Sequence, residues 1–185
     1  MGVASRLPCG NPLPASDNMP GGSGSGNSAV QLEVTMGADL PLPKSLSEPR
    51  LESLVGFALG QEGAGGQWEI SLLFTTDDRI QEMHREFMDL DSPTDIMTFP
   101  YEPDDFSLPE AGNLGGDIVI SVETAALHAQ DAGWNLSDEL LFLILHGVLH
   151  ILGWDDADPN KRATMLARQT TLLEAWRDYA GDATG

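Results

Sequence analysis

The longest uninterrupted apolar run in the chain, LLFLIL from Leu140 to Leu145, leads straight into HGVLHILGWDD at 146–156. A run of that length is too short to span a bilayer, which takes about 18 apolar residues, and it fits a helix buried in the middle of a small domain. The rest of the fold has to be built around that helix. Its far end carries His146 and His150, four residues apart, so both imidazoles lie on one helical face with Cβ atoms about 5 to 6 Å apart. Gly153 permits the left-handed turn that stops the helix, and the chain doubles back so that residue 156 can approach the pair. The spacing H-x-x-x-H-x-x-G-x-x-D therefore describes three candidate metal ligands, His146, His150 and Asp156, with one coordination position open. Three protein ligands and an exchangeable water are the arrangement of catalytic rather than structural zinc.

Each of these residues also has a plainer reading. A histidine on an apolar helix can be a satisfied core residue. Asp155, Asp156 and Asp158 form an acidic cluster that can be solvated or can cap the next helix, and Asp155 can take the ligand role in place of Asp156. Gly147 narrows the chemistry. It stands where the H-E-x-x-H metalloproteases carry the glutamate that relays a proton to the leaving amine, which disfavours peptide hydrolysis. A Zn2+ ion would still lower the pKa of its bound water to about 7 and act as a Lewis acid, and phosphodiester cleavage suits such a site better.

At 185 residues the chain is long enough for one domain with a sizeable core. Residues 1–29, rich in proline and containing GGSGSG, hold too few large apolar side chains to offset ordering entropy and are expected to be a flexible tail. The domain is expected over 30–180. Strands are expected at VQLEVTM (30–36), WEISLLFT (68–75), DIMTFP (95–100) and GDIVIS (116–121). Helices are expected over 45–59, from a Thr76 cap to about Leu90, over ETAALHAQDAG, from a Ser137 cap to Leu152, and from Pro159 to about Tyr179. Ile80, Met83, His84 and Phe87 share one phase of the second helix. The loop between Pro100 and Gly116 is longer than most in compact domains, which marks it as functional or mobile.

The charge balance, 9 Lys and Arg against 29 Asp and Glu for a net −20, argues against broad electrostatic binding of nucleic acid. Any such role must rest on a local site or on a partner. The single cysteine, Cys9, excludes an intrachain disulfide and makes a reducing compartment the default. MGVASRLPCG lacks the apolar core of a secretory signal, so a cytoplasmic protein without membrane attachment is expected.

HGVLHILGWDD, PTDIMTFP at 93–100 and GGDIVISVETA at 115–125 occur in one order and together resemble the YbeY family of bacterial metal-dependent endoribonucleases. The similarity runs from roughly Val30 to Trp176. It implies an α+β fold, a small mixed four-stranded sheet packed against about five helices, with the metal site at the end of the long central helix. It also implies one zinc ion per chain, cleavage of single-stranded ribosomal RNA in small-subunit maturation, and a part in ribosome quality control. An acidic chain would reach that RNA by docking on a basic ribosomal protein of the small subunit.

Two positions depart from the family pattern. The third ligand is usually histidine, and here it is Asp156. An arginine usually stands five residues before the motif proline, and here that residue is Met88. The nearest candidate for its catalytic role is Arg85, one turn earlier and about 60° round the helix, which can equally be a solvent-facing charge. His84 stands where asparagine is common, in a buried or cleft-lining phase. Thr94, Asp95 and Phe99 match the family strand and shape the site. These departures support an alternative: a ribosome-associated assembly factor with a mainly structural metal and weak or no catalysis.

Overall fold

The computed structural model describes residues 30–101 and 114–182. The expected flexible tail and most of the long loop after Pro100 lie outside the described residues. The elements run β1 (Gln31–Ala38), α1 (Glu48–Gln61), β2 (Gln67–Thr75), α2 (Asp77–Met88), β3 (Ile96–Pro100), β4 (Leu114–Ser121), α3 (Val122–Ala132), α4 (Leu136–Ile151) and α5 (Pro159–Asp182). The fold is α+β as expected, with one mixed sheet in the order β1-β2-β4-β3. β1, β2 and β4 are mutually parallel, and β3 runs antiparallel to β4 along one edge.

Strand alternation decides which side chains face the main core. On β2, Trp68, Ile70, Leu72 and Phe74 are buried while Glu69, Ser71 and Leu73 point the other way. The buried set packs with Leu51, Leu54, Val55, Ala58 and Leu59 of α1 and with Met165, Leu172, Leu173 and Trp176 of α5. Beside α1 on this face, and covered by α5, lies α4, buried from Glu139 through Leu149 except for the partly buried Phe142, as a helix apolar on nearly every side must be. Each fully buried Leu or Ile there contributes roughly 1.5 to 3 kcal/mol relative to exposure. On the opposite face of the sheet, Ile80 of α2 forms a smaller cluster with Met97 and Val119.

Two local expectations are revised. The cap of α4 is Asn135 rather than Ser137: the Asn135 Oδ1 accepts the Asp138 amide at 2.9 Å from an extended backbone. Ser137 is already inside the first turn, and its hydroxyl meets Ser45 Oγ at 2.6 Å. α1 starts three residues later than Ser45, because Ser47 is extended and Pro49 favours the first turn. Phe87 is exposed although it shares the phase of Ile80, and it meets Phe99 of β3 edge-on at 5.4 Å. β3 is the sheet edge, so the last turn of α2 has no strand beyond it to be buried against. No helix among the described residues is long and apolar enough to cross a membrane.

Candidate metal centre

α4 presses directly on β4. A Cβ built at Gly147 would stand 2.8 to 3.0 Å from three side-chain carbons of Ile118, closer than carbon atoms tolerate. The missing glutamate thus has a packing cause: position 147 faces the sheet, and only hydrogen fits there. His146 and His150 flank this contact and project from the last turns of the helix.

The helix ends in a Schellman turn. Gly153, at φ 88°, donates its amide to the His150 carbonyl at 2.9 Å, and the Trp154 amide reaches the Leu149 carbonyl at 2.9 Å. That reversal brings Asp156 back over the helix end. Its Oδ2 lies 3.8 Å from His146 Nε2 and its Oδ1 3.7 Å from His150 Nε2. The acidic cluster is divided by role. Asp155 pairs with Lys161 at 2.9 Å and accepts the Ala157 amide, Asp158 caps α5 through the amides of Asn160 and Lys161, and Asp156 is buried against the histidines. The Lys161 hydrogen bond and then the Ala157 amide hold the Asp155 carboxyl below its ordinary range.

The other ring nitrogens fix the tautomers. His150 Nδ1 lies 3.0 Å from the Trp154 carbonyl, which can only accept, so Nδ1 carries the proton. His146 Nδ1 lies 3.2 Å from Gln169 Oε1, and Gln169 is oriented because its Nε2 donates to the Phe142 carbonyl at 2.7 Å. Both Nε2 atoms consequently present lone pairs, and they face one another at 3.0 Å. Two lone pairs that close repel unless a cation or an extra proton lies between them. Two ligand nitrogens of a tetrahedral zinc are about 3.3 Å apart when each bond is about 2.05 Å. The three ligand atoms lie within 4.8 Å of one another, so this donor set can hold a metal ion.

Gln169 lies outside the motifs, although its signal is present: it occupies the same phase of α5 as Met165, Leu172 and Trp176, and it is fully buried. A polar side chain in a core phase must find partners, and this one supplies the orienting contact that metal-bound histidines usually have. The other expected residues are more distributed. Arg85 is exposed on α2 with Nη1 3.6 Å from Asp91 Oδ1. Met88 packs against the Ile80, Met97 and Val119 cluster. His84 is buried with Nδ1 2.7 Å from the Ser92 carbonyl, a satisfied core histidine. The Asp95 carbonyl accepts the Ser121 amide, and Thr94 Oγ1 bonds Asp95 Oδ1 and the Ile96 carbonyl, so the P-T-D motif fastens the start of β3 to β4.

Tyr101 closes β3 and donates its hydroxyl to Asp117 Oδ1 at 2.9 Å. Burial first, then the Asp117 hydrogen bond and the charges of Asp117 and Glu69, push the phenol from 10.0 up to about 12. The folded state favours the protonated phenol, so this contribution to stability is complete below pH 10 and is lost as pH rises toward about 12. Tyr101→Phe is expected to flatten the fall of folding stability across that window, read from urea unfolding at stepped pH. An unchanged fall would contradict it.

The family profile described as Endoribonuclease YbeY matches residues 39–177. Endoribonuclease YbeY of Mycolicibacterium vanbaalenii is 40% identical over 139 residues, covering 71% of this chain and 74% of that protein. Endoribonuclease YbeY of Nocardia farcinica is 36% identical over 163 residues, covering 84% of each. The solution structure of TM1509 from Thermotoga maritima has a similar fold, with a TM-score of 0.53 at 21% identity over 83% of this chain and 93% of that one.

Proposed function

The chain belongs to the Endoribonuclease YbeY family, and from that premise we propose that it is a zinc-dependent, single-strand-specific endoribonuclease acting in ribosomal RNA maturation and ribosome quality control. The observation that carries the reading is the pair of Nε2 atoms 3.0 Å apart with a buried carboxylate beside them. Zinc held by His146, His150 and Asp156 would supply Lewis acidity toward a phosphoryl oxygen. The chain's own part is positioning. Gln169 and the Trp154 carbonyl hold both imidazoles in one tautomer, and Gly147 offers no base beside them, so stabilisation of developing charge is the main lever.

The recessed position of the trio supports a single-stranded substrate. His146 and Asp156 are buried, and His150 is 16% exposed, so a scissile phosphate has to enter from the His150 side. A flexible strand can splay into such a recess more readily than an A-form duplex. The net charge of −20 makes bare RNA a poor ligand, which favours delivery in the cytoplasm by docking on a basic protein of the small ribosomal subunit.

Asp156→His tests the ligand assignment. A neutral imidazole adds no negative charge to the site, so the variant is expected to keep its zinc and shift its pH–rate profile for RNA cleavage to lower pH. Unchanged zinc affinity together with an unchanged profile would mean that position 156 is not a ligand. A second reading, an assembly factor whose metal is mainly structural, is favoured by the apolar packing of Met88 and by the Arg85–Asp91 pair, which leave the usual arginine function unfilled at those positions. Growth rescue by a cleavage-dead variant that still docks on small subunits would select it.

A further inference from the structure

Glu62 sits at the C-terminal end of α1, where the helix dipole disfavours a carboxylate, and its side chain is only 12% exposed. Both of its oxygens are engaged across the fold. Oε2 accepts the Trp154 indole N–H at 3.0 Å, and Oε1 accepts Arg168 Nε at 2.6 Å, with Arg168 Nη2 also bonded to the Gln61 carbonyl at 3.2 Å. Trp154 is the residue just past the Gly153 turn, and its main-chain carbonyl accepts the Nδ1 proton of His150. The end of α1, the metal loop and α5 meet through this one carboxylate.

We propose that Glu62 is a positioning residue for the metal centre: held by Arg168, it anchors the Trp154 indole and thereby aims the carbonyl that fixes the tautomer of His150. The inference rests on the metal-dependent reading above. An indole gripped at its N–H cannot swing, so the peptide that carries the Trp154 carbonyl keeps its direction while Asp156, two residues on, stays over the histidines. Orienting contacts to a ligand's second nitrogen typically change metal affinity by about 10- to 100-fold when removed. The Glu62 carboxylate bonds Trp154 and Arg168 rather than His146, His150 or Asp156, so its effect is on the orientation of the ligand set and not on the chemistry.

The test uses the full chain with Trp154→Phe, Glu62→Gln and the double variant. Three quantities are read: zinc affinity by competition with a chelator, the His150 tautomer by nitrogen NMR of the metal-free protein, and thermal stability in chelator. Each single variant is expected to bind zinc about tenfold more weakly and to show a mixed His150 tautomer. The double variant should be no weaker than the weaker single one, because both remove the same link. Wild-type affinity and tautomer in the single variants, or losses that multiply in the double, would overturn the proposal. If Glu62→Gln fails to fold, Trp154→Phe keeps an aromatic ring in place and decides the matter by the same two readouts. Should the wild type bind no zinc, the metal reading falls, while the tautomer comparison, made without metal, still decides whether Glu62 orients His150.

Discussion

His150→Ala is expected to remove zinc binding and RNA cleavage together while leaving the fold intact. His150 offers one of the three atoms proposed to hold the metal, and a helix-favouring alanine at this partly exposed position leaves the turn at Gly153 undisturbed. Loss of an orienting contact alone costs up to about 100-fold in metal affinity, so loss of a direct ligand should exceed that. Zinc content after dialysis, cleavage of a single-stranded ribosomal RNA fragment, and thermal unfolding in chelator separate the outcomes. Cleavage at the wild-type rate in a folded, zinc-free variant would mean that the trio is not the active centre.

Gly147→Glu, which would restore the protease-like H-E-x-x-H pattern, is expected to prevent folding. The new Cβ alone would lie 2.8, 2.9 and 3.0 Å from Ile118 carbons, and a β-branched neighbour in a packed sheet has little rotamer freedom to yield. Overpacking of this kind costs about 1 to 3 kcal/mol, and a carboxylate aimed into the core adds several more. Domains have only about 5 to 15 kcal/mol in total. Gly147→Ala isolates the steric part: despite the better helix propensity of alanine, it is expected to destabilise the chain by about 1 to 3 kcal/mol in urea unfolding. Combining it with Ile118→Ala, which removes all three crowding carbons, should recover part of that loss. A Gly147→Ala chain more stable than wild type would show that α4 can rise off β4 freely.

The order of strands and helices was legible because local patterns carried it. β2 alternates strictly, α2 begins at a Thr76 whose hydroxyl accepts the Arg79 amide, and α5 begins at Pro159 behind an aspartate cap. That His146, His150 and Asp156 cluster was legible for the same reason: two share a helix face, and the third comes five residues after the helix ends at Ile151. What stayed hidden depends on neighbours distant in the chain. Phe87 has the phase of a core residue and is exposed because a sheet edge happens to end beneath it. Gly147 reads as a missing base until Ile118 is known to stand behind it. Asn135 and Ser137 are both good caps, and the choice between them rests on where the chain leaves its extended path. The support of the site is the least legible part, since Gln169, Glu62 and Arg168 reach it from other elements.

The HGVLHILGWDD segment divides its polar and small residues by role. Its first glycine is a packing requirement, its first aspartate is bound to Lys161, and its second faces the two imidazoles. The central claim is that a metal held by those three side chains is what makes this acidic chain an RNA-cutting enzyme. Its most direct test is the cleavage rate of purified wild-type protein on single-stranded ribosomal RNA before chelation, after chelation, and after return of one equivalent of zinc. The account predicts activity that disappears with the metal and returns with it. Undiminished cleavage by the metal-free chain would contradict it.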